Sequence, residues 1–173
     1  LLREGETWAA ESRLAYETNG DGRRLGVRGA KRISDGFAVL GALDYRGNET
    51  LDTGAGDPIP GSEDDIVSGL IKAEITPNEF NRITASYLAD RNTYVREASA
   101  TPGVSAYDTD VYAQTAAVKW SYDNPDDHWF DIDASVYSSD TDKTETYVYG
   151  ANAGKERGFD VGRRGAQFRP HFG

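Results

Sequence analysis

The sequence predicts an all-β protein, an antiparallel up-and-down meander of about eight strands that forms part of a transmembrane β-barrel. Three observations lead to this prediction. Apolar and polar residues alternate with a period of two along most of the chain, which is the period of a β-strand. Short and long connections take turns between the alternating segments, as they do on the two rims of a membrane barrel. Aromatic residues lie at the ends of the apolar faces, where barrels place them at the bilayer interfaces.

The composition excludes some classes of protein and leaves others open. The 173 residues include 19 Lys and Arg against 29 Asp and Glu, and the net charge of −10 argues against nucleic acid as a partner. No stretch approaches the ~18–20 consecutive apolar residues of a membrane-spanning helix, whereas a barrel strand needs an apolar residue only at every second position. The hydrophobic content of 38% and the mean hydropathy of −0.65 also suit a soluble β-protein. Because cysteine is absent, the sequence has no disulfide and no thiolate metal site.

Three alternating segments are expected before the first long connection. The first runs from Trp8 to Glu17, and Asn19-Gly20-Asp21-Gly22 supplies the positive φ angles of a tight hairpin. The second starts near Leu25, and the third runs from Phe37 to Tyr45. One face of these segments is predicted to present Trp8, Ala10, Ser12, Leu14, Tyr16, Leu25, Val27, Gly29, Phe37, Val39, Gly41, Leu43 and Tyr45.

The connections predict two different rims. Tight turns are expected at Ile33–Gly36, Thr76–Phe80 and Asn124–Asp127. Long loops are expected at Gly47–Asp64, Asp90–Asp108 and roughly Asp140–Lys155. Alternate connections of an up-and-down meander share a rim, so the turns would lie on one rim and the loops on the other.

Between these connections, four more segments alternate clearly and an eighth alternates poorly. In the eighth, around Phe159–Phe168, Phe159 and Val161 start an apolar face but Arg163 falls on the same face. We expect a strand there nonetheless. The apolar faces of the four clear segments are predicted to consist of Gly69, Ile71, Ala73 and Ile75, of Ile83, Ala85, Tyr87 and Ala89, of Tyr112, Gln114, Ala116, Val118, Trp120 and Tyr122, and of Phe130, Ile132, Ala134 and Val136.

The residues on the two faces favour lipid over a protein core around the apolar side chains. Small residues such as Ala73, Ala85 and Ala116 lie in the middle of the apolar faces, whereas a soluble core packed to crystal-like density normally needs bulkier residues. The opposite faces have charges of both signs in mid-strand, which suits a wet lumen or a polar plug. They also suit the outer face of a soluble sheet, so a secreted β-sandwich that binds a partner through its long loops stays an alternative. The charges are Glu11, Arg13, Arg28, Asp44, Lys72, Glu74, Arg82, Lys119, Asp131 and Asp133.

Two stretches of the chain resemble a known family. The leader Leu1-Leu2-Arg3-Glu4-Gly5-Glu6-Thr7 precedes a strand that contains Leu14, Tyr16, Thr18 and Asn19. Further on, Ser68-Gly69-Leu70-Ile71-Lys72 is followed by Thr76-Pro77-Asn78-Glu79. These stretches resemble the first barrel strands past the plug in TonB-dependent outer-membrane receptors, and most of all the haem and haemoglobin uptake branch.

The resemblance implies a location, a function and partners. Residues 1–173 would be a fragment of a barrel of about 22 strands in the outer membrane of a Gram-negative cell, without the plug domain and the later strands. The parent protein would take up haem or haem-protein iron, driven by the TonB complex. The expected partners are therefore haem or a haem protein, the plug domain, the TonB complex and outer-membrane lipid, with no nucleic acid and no cofactor bound in the chain itself. A siderophore receptor of the same superfamily is the nearest alternative.

Three tyrosines are the candidate ligand-binding residues. Tyr94, Tyr107 and Tyr147 lie in or near the predicted long loops, and exposed aromatic residues are frequent at binding hot spots. Ordinary loop aromatics are the more common explanation for tyrosines at such positions. No nucleophile with a base partner and no phosphate-binding loop occurs, so we expect no catalytic residue and no enzymatic activity.

The remaining candidates for ligands are two histidines and an acidic group. Phe168-Arg169-Pro170-His171 partly matches a motif near which haem receptors place a ligand histidine, but it comes too early in the chain, so His171 is a weak candidate for a haem ligand. His128 is expected in a solvated turn. Glu63, Asp64 and Asp65 do not have the spacing of an EF-hand, so we expect a solvated loop rather than a metal site.

Overall fold

Eight β-strands form one antiparallel sheet in which each strand pairs with the next long strand along the chain. The computed structural model describes residues 2–3, 5–97, 105–125 and 131–171. In chain order the strands are β1 (Trp8–Glu17), β2 (Gly22–Ser34), β3 (Phe37–Asn48), β4 (Leu51–Asp52), β5 (Pro58–Ile59), β6 (Asp64–Asn78), β7 (Asn81–Glu97), β8 (Ala106–Tyr122), β9 (Asp131–Tyr149) and β10 (Glu156–His171).

The sheet order confirms the all-β class and the up-and-down meander. The order is β1-β2-β3-β6-β7-β8-β9-β10, and β4 and β5 pair separately with each other. The sheet is not closed, so β1 and β10 are its edges. A short 3₁₀ helix at Asn19–Asp21 joins β1 to β2, and no helix in the described ranges is long and apolar enough to span a membrane.

The register brings the predicted apolar positions of the first seven segments to one side of the sheet. Paired residues point to the same side: Leu25 pairs with Tyr45, and Tyr45 pairs with Val67. We call this side the apolar face and the opposite side the charged face. Of the predicted apolar positions, Phe130 lies outside the described residues.

The two rims differ as predicted over the first half of the sheet. Asp35 and Gly36 alone join β2 to β3, and Glu79 and Phe80 alone join β6 to β7. We call their side the short-turn rim. Residues 49–63 and 150–155 connect strands on the other side, where β7 also ends and β8 begins; we call this side the long-loop rim. The predicted tight turn at Asn124–Asp127 lies partly outside the described residues.

Two of the predicted long loops are wrong in extent. β7 continues to Glu97, β8 begins at Ala106 and β9 continues to Tyr149, so most of Asp90–Asp108 and much of Asp140–Lys155 is strand. The apolar alternation ends at these positions because neither face is apolar there. The backbone hydrogen bonds between paired strands continue regardless of side-chain polarity. A prediction based on alternation alone therefore ends these strands too early.

The eighth strand is present, but its predicted face is wrong. Phe159 pairs with Lys143 and Val161 pairs with Thr141, so the side chains of Phe159 and Val161 both lie on the charged face. Phe159 and Val161 lie beyond the region of regular alternation, where neither side of the sheet is continuously apolar. Their spacing alone therefore does not indicate on which side of the sheet their side chains lie. On the apolar face, β10 presents Ala166, Phe168 and Pro170.

The apolar face is not covered by a second layer of the described residues. Among them, the buried hydrophobic residues are only Ala38, Ala106 and Tyr107. Leu14 is 81% exposed, Trp8 69% and Ile71 66%, although all three lie in the middle or at the ends of the apolar face. The sheet therefore presents an open apolar surface, which we call the apolar band.

The apolar band runs obliquely across the strands. The register links Tyr16, the last apolar-face aromatic of β1, through one row of paired residues to Gly158 of β10. On β10, however, the band ends at Ala166, which is eight residues closer to the short-turn rim (166 minus 158). Eight residues over the seven steps between neighbouring strands, at ~3.3 Å per residue and ~4.8 Å per strand, correspond to a strand tilt of about 38° from the normal to the band.

Candidate functional site

Beyond the apolar band, towards the long-loop rim, the last four strands form a two-sided extension with opposite charge on its faces. On the apolar-face side, β7–β10 present Arg91, Glu97, Asp108, Asp110, Asp140, Asp142, Glu156, Asp160 and Arg164. On the charged-face side, the same stretches present Asp90, Arg96, Lys143, Glu145, Arg157 and Arg163. Seven of the nine residues in the first set are acidic, whereas four of the six residues in the second set are cationic.

The three predicted tyrosines all lie on the charged-face side of this extension. They belong to strands and not to loops, which corrects the predicted environment. Tyr94 pairs with Thr109, and Tyr107 pairs with Tyr147. The hydroxyl of Tyr107 donates a hydrogen bond to the hydroxyl of Tyr147 over 2.9 Å, and the ring centroids are 4.4 Å apart. The sheet therefore brings Tyr107 and Tyr147 into contact, with Tyr94 on the same face.

A buried carboxylate with three cationic partners adjoins this tyrosine pair. The Glu145 side chain is 1% exposed. Its Oε1 accepts from Arg96 Nη2 at 3.1 Å and from Lys143 Nζ at 2.5 Å, and its Oε2 accepts from Arg157 Nε at 2.5 Å. β7, β9 and β10 thus each contribute a cation to one acid. We call Arg96, Lys143, Glu145, Arg157, Tyr107 and Tyr147 the Glu145 cluster.

Aromatic rings support the cations of the cluster. The guanidinium of Arg157 lies 4.4 Å from the ring centroid of Tyr107, and that of Arg96 lies 5.5 Å from it. Phe159 lies next to the cluster, with Arg157 at 5.6 Å and Lys143 at 5.8 Å from its ring. These distances are within the range of cation–π attraction, so the rings hold the cations over the charged face.

The neighbours of the Glu145 carboxyl keep it charged. Burial raises its pKa, but the hydrogen bonds from Lys143 and Arg157 outweigh burial, so the pKa lies below its ordinary value. The bond to Glu145 raises the pKa of Arg157, and the hydrogen bond to Tyr147 raises the pKa of Tyr107. One carboxylate and three cations give the cluster a formal charge of +2 at neutral pH.

A buried hydroxyl lies between the cluster and the third tyrosine. Thr109 pairs with Tyr94 on one side and with Glu145 on the other, and it is fully buried. Its Oγ1 has no hydrogen-bond partner among the described residues. An unpartnered buried hydroxyl has a free-energy cost, and this one faces the same side as the cations.

The other predicted candidates do not join the cluster. His171 is the last residue of β10 and pairs with Asp131 near the short-turn rim, far along the strand from Arg157. His128 lies outside the described residues. In the acidic group, Glu63 accepts a hydrogen bond from the Thr50 hydroxyl, and Asp65 accepts one from the Tyr45 hydroxyl. Asp64 forms an ion pair with Arg46. Where the structure describes the chain, no set of three or more His, Cys, Asp or Glu side chains is arranged to hold a metal ion.

Sequence reasoning missed the charged members of the cluster. Lys143, Glu145 and Tyr147 have the i, i+2, i+4 spacing of residues on one strand face, and Tyr94 and Arg96 have the same spacing. This signal could have been read from the sequence if these stretches had been predicted as strands. Arg157 could not have been connected to Glu145, since the β9–β10 register decides that contact.

Comparisons with known proteins add no further assignment. No family model, no curated protein and no solved structure matches the chain.

Proposed function

We propose that the chain is part of the wall of an outer-membrane β-barrel receptor, with its apolar face against lipid and its charged face towards the lumen. The observation on which this proposal rests is the open apolar band on a single-layered sheet. Side chains such as Leu14 and Ile71 are mostly exposed, and nothing in the described part of the chain covers them. In water such a surface costs about 25 cal/mol per Å², whereas lipid chains remove that cost.

The oblique course of the band supports the same proposal. Strands of membrane barrels are tilted by about 35–45° from the barrel axis, and the band is perpendicular to that axis. The tilt of about 38° derived from the register is in this range. A soluble sandwich also has twisted strands, but it needs a second sheet over the apolar face, and the described strands provide none.

The edges and the charged face fit a wall within a larger barrel. β1 and β10 lack partners on their outer sides, and further strands would pair with them. Ion pairs such as Glu11–Arg28 and Lys119–Asp133 neutralise charges of the face that would line the lumen. Uptake of haem or haem-protein iron, with energy from the TonB complex, is the transport function that the sequence resemblance favours; uptake of a siderophore is the alternative.

A matched pair of spin labels tests the orientation of the sheet. The chain has no cysteine, so Ala116→Cys on the apolar face and Ala117→Cys on the charged face can each be labelled alone. With the chain folded into lipid vesicles, we expect electron paramagnetic resonance to show high oxygen collision rates at position 116 and high rates with a water-soluble nickel chelate at position 117.

Two results would contradict the proposal. One is equal access of the nickel chelate to both labels in vesicle-bound protein. The other is a chain that stays monomeric in plain buffer, melts cooperatively and does not bind vesicles, which would favour the soluble alternative.

A further inference from the structure

We infer that the apolar face binds one anionic phospholipid at the short-turn rim of β1–β3, with its phosphate on Lys31 and one acyl chain in a groove that rises from Lys31. The inference rests on the proposed function, because it takes the apolar face as the side that meets lipid. It specifies one lipid by the charge of its headgroup and by the place where that headgroup binds.

Lys31 places a single positive charge at the edge of the apolar band. It pairs with Trp8 of β1 and with Val39 of β3, so its side chain lies on the apolar face. At the short-turn ends of the described strands, the other residues on this face are uncharged. No carboxylate of the described residues forms an ion pair with the Lys31 ammonium. A lysine at this level extends its ammonium to the lipid headgroups, where an uncompensated cation favours a headgroup with a net negative charge.

A groove without side chains starts at Lys31 and crosses the apolar face. Gly41 is one strand and two residues further from the short-turn rim than Lys31, and Gly69 is one strand and two residues beyond Gly41. A Cβ on Gly41 would meet no heavy atom within 4 Å, and a Cβ on Gly69 would meet only Leu43, at 3.9 Å. Leu43 lies on one side of the groove and Ile71 lies on the other. The groove is therefore apolar, open and bounded by larger side chains.

The groove runs along the membrane normal of the proposed orientation. Each of its two steps covers one strand spacing of ~4.8 Å and two residues of ~3.3 Å, which gives an angle of about 36° to the strands. The normal to the band makes an angle of about 38° with the strands and, like the groove, leans towards β10 as it rises. From Lys31 to Gly69 the groove is about 16 Å long, close to half of a hydrocarbon core of ~30 Å. An acyl chain that stands upright in one leaflet can therefore lie in the groove.

Trp8 and the shape of the surface indicate where the headgroup lies. Trp8 is the neighbour of Lys31 across the β1–β2 pair, and it is 69% exposed. The surface around both residues is concave, with a volume of about 530 Å³, and Gly29 and Val39 also line it. Tryptophan prefers the level between the headgroups and the hydrocarbon. The indole and the ammonium thus lie side by side where a phospholipid has its glycerol and its phosphate.

Quenching of Trp8 fluorescence by brominated lipids tests this site. In a chain whose other tryptophans, Trp120 and Trp129, are replaced by phenylalanine, the emission reports the lipid next to Lys31. The chain is folded into phosphatidylcholine vesicles, and part of the lipid is replaced by phosphatidylglycerol or phosphatidylcholine with brominated acyl chains. We expect the brominated phosphatidylglycerol to bind at Trp8 about fivefold more tightly than the brominated phosphatidylcholine. Lys31→Gln should abolish this preference, and Lys31→Arg should keep it.

Arg23→Gln is the matched control for the charge. Arg23 is on the same strand and face as Lys31 but pairs with Tyr16 at the other end of the band, so its loss should leave the preference at Trp8 unchanged. Gly41→Leu fills the groove, so the chain no longer lies above Lys31 and the preference should fall below about twofold. Ala85→Leu enlarges a side chain of the same face on β7, outside the groove, and should leave the preference unchanged.

Three results would overturn the inference. They are an unchanged chain without a preference, an Arg23→Gln variant that loses the preference as Lys31→Gln does, and a Gly41→Leu variant that retains it in full. Equal access of the nickel chelate to both spin labels would instead remove the proposed function. If the labels report lipid and water as expected, a missing preference removes only the phospholipid site.

Discussion

At the scale of residues, Glu145 organises the long-loop end of the sheet. Its carboxylate connects β7, β9 and β10 through Arg96, Lys143 and Arg157. Removing one partner of a buried ionic group leaves the others without compensation. Glu145 is accordingly the side chain of the extension for which we expect the largest effect of substitution.

The pKa of Glu145 predicts how stability depends on pH. Because the folded-state pKa is lowered, the stabilisation is complete above the ordinary glutamate pKa of about 4.3 and is lost as the pH falls through the folded-state value. In detergent micelles, Glu145→Gln should lower the free energy of unfolding at pH 7 by about 1–2 kcal/mol. Urea titrations from pH 7 to pH 3 measure the effect.

The same titrations contain the control. The difference between the unchanged chain and Glu145→Gln should stay constant from pH 7 to about pH 5 and shrink below about pH 4. A difference that does not change with pH would show that Glu145 stabilises the fold through packing and not through its charge.

At the scale of elements, the long connection between β3 and β6 folds back on the first hairpin. Asn19 Nδ2 donates to the carbonyl of Asp52 at 3.0 Å, and Asn19 Oδ1 accepts from the Asp52 amide at 2.8 Å. The amide of Glu49 donates to the carbonyl of Gly20 at 2.7 Å. Residues 49–63 are therefore attached to the 3₁₀ turn at Asn19–Asp21 and are not a free loop.

Gly20 is necessary for this attachment. Its φ of +73° is in the left-handed region, and a Cβ there would lie 2.8 Å from the Glu49 carbonyl oxygen and 2.6 Å from Leu51 Cδ2. Gly20→Ala should destabilise the attachment by about 1–2 kcal/mol and accelerate proteolysis within residues 49–63. Limited proteolysis with mass spectrometry measures this rate.

Gly54→Ala is the control for that substitution. A Cβ on Gly54 meets no heavy atom within 4 Å, so cleavage of this variant should match that of the unchanged chain. If both variants were cleaved at the same rate, the contact between the connection and the hairpin would not limit the mobility of residues 49–63.

At the scale of the whole molecule, the apolar band defines two environments on opposite sides of one sheet. Neighbouring residues of β8 illustrate the difference, since Val118 is part of the band and Ala117 lies on the charged face. An arginine at the lipid-facing midplane of a barrel costs about 2–4 kcal/mol. An arginine that faces a wet lumen has no such cost.

Paired substitutions at these positions test the two environments. In vesicles, Val118→Arg should lower the free energy of unfolding by about 2–4 kcal/mol, and Ala117→Arg by less than about 1 kcal/mol. Urea titrations of the vesicle-bound chain followed by tryptophan emission measure both values. Equal losses at the two positions would show that the bilayer does not contact the band.

Much of the sheet could be predicted because its middle is periodic. From β1 to β9, a residue such as Tyr45 or Ile71 alternates with polar neighbours, and this alternation identified both the strands and their faces. The tight turn at Asp35–Gly36 was also correctly placed. Beyond the band this information ends, which is why β7 and β9 were predicted to be too short and Phe159 was assigned to the wrong face.

The sequence by itself determined the strands that cross the band and the parity of their side chains, because side chains alternate along any extended chain. Only the tertiary structure decided which residues of different strands meet. The contact of Arg96 and Arg157 with Glu145, the hydrogen bond between Tyr107 and Tyr147 and the oblique course of the band all depend on the register between strands. Register is set by pairing across the whole sheet, and hydrophobic periodicity within one segment does not contain it.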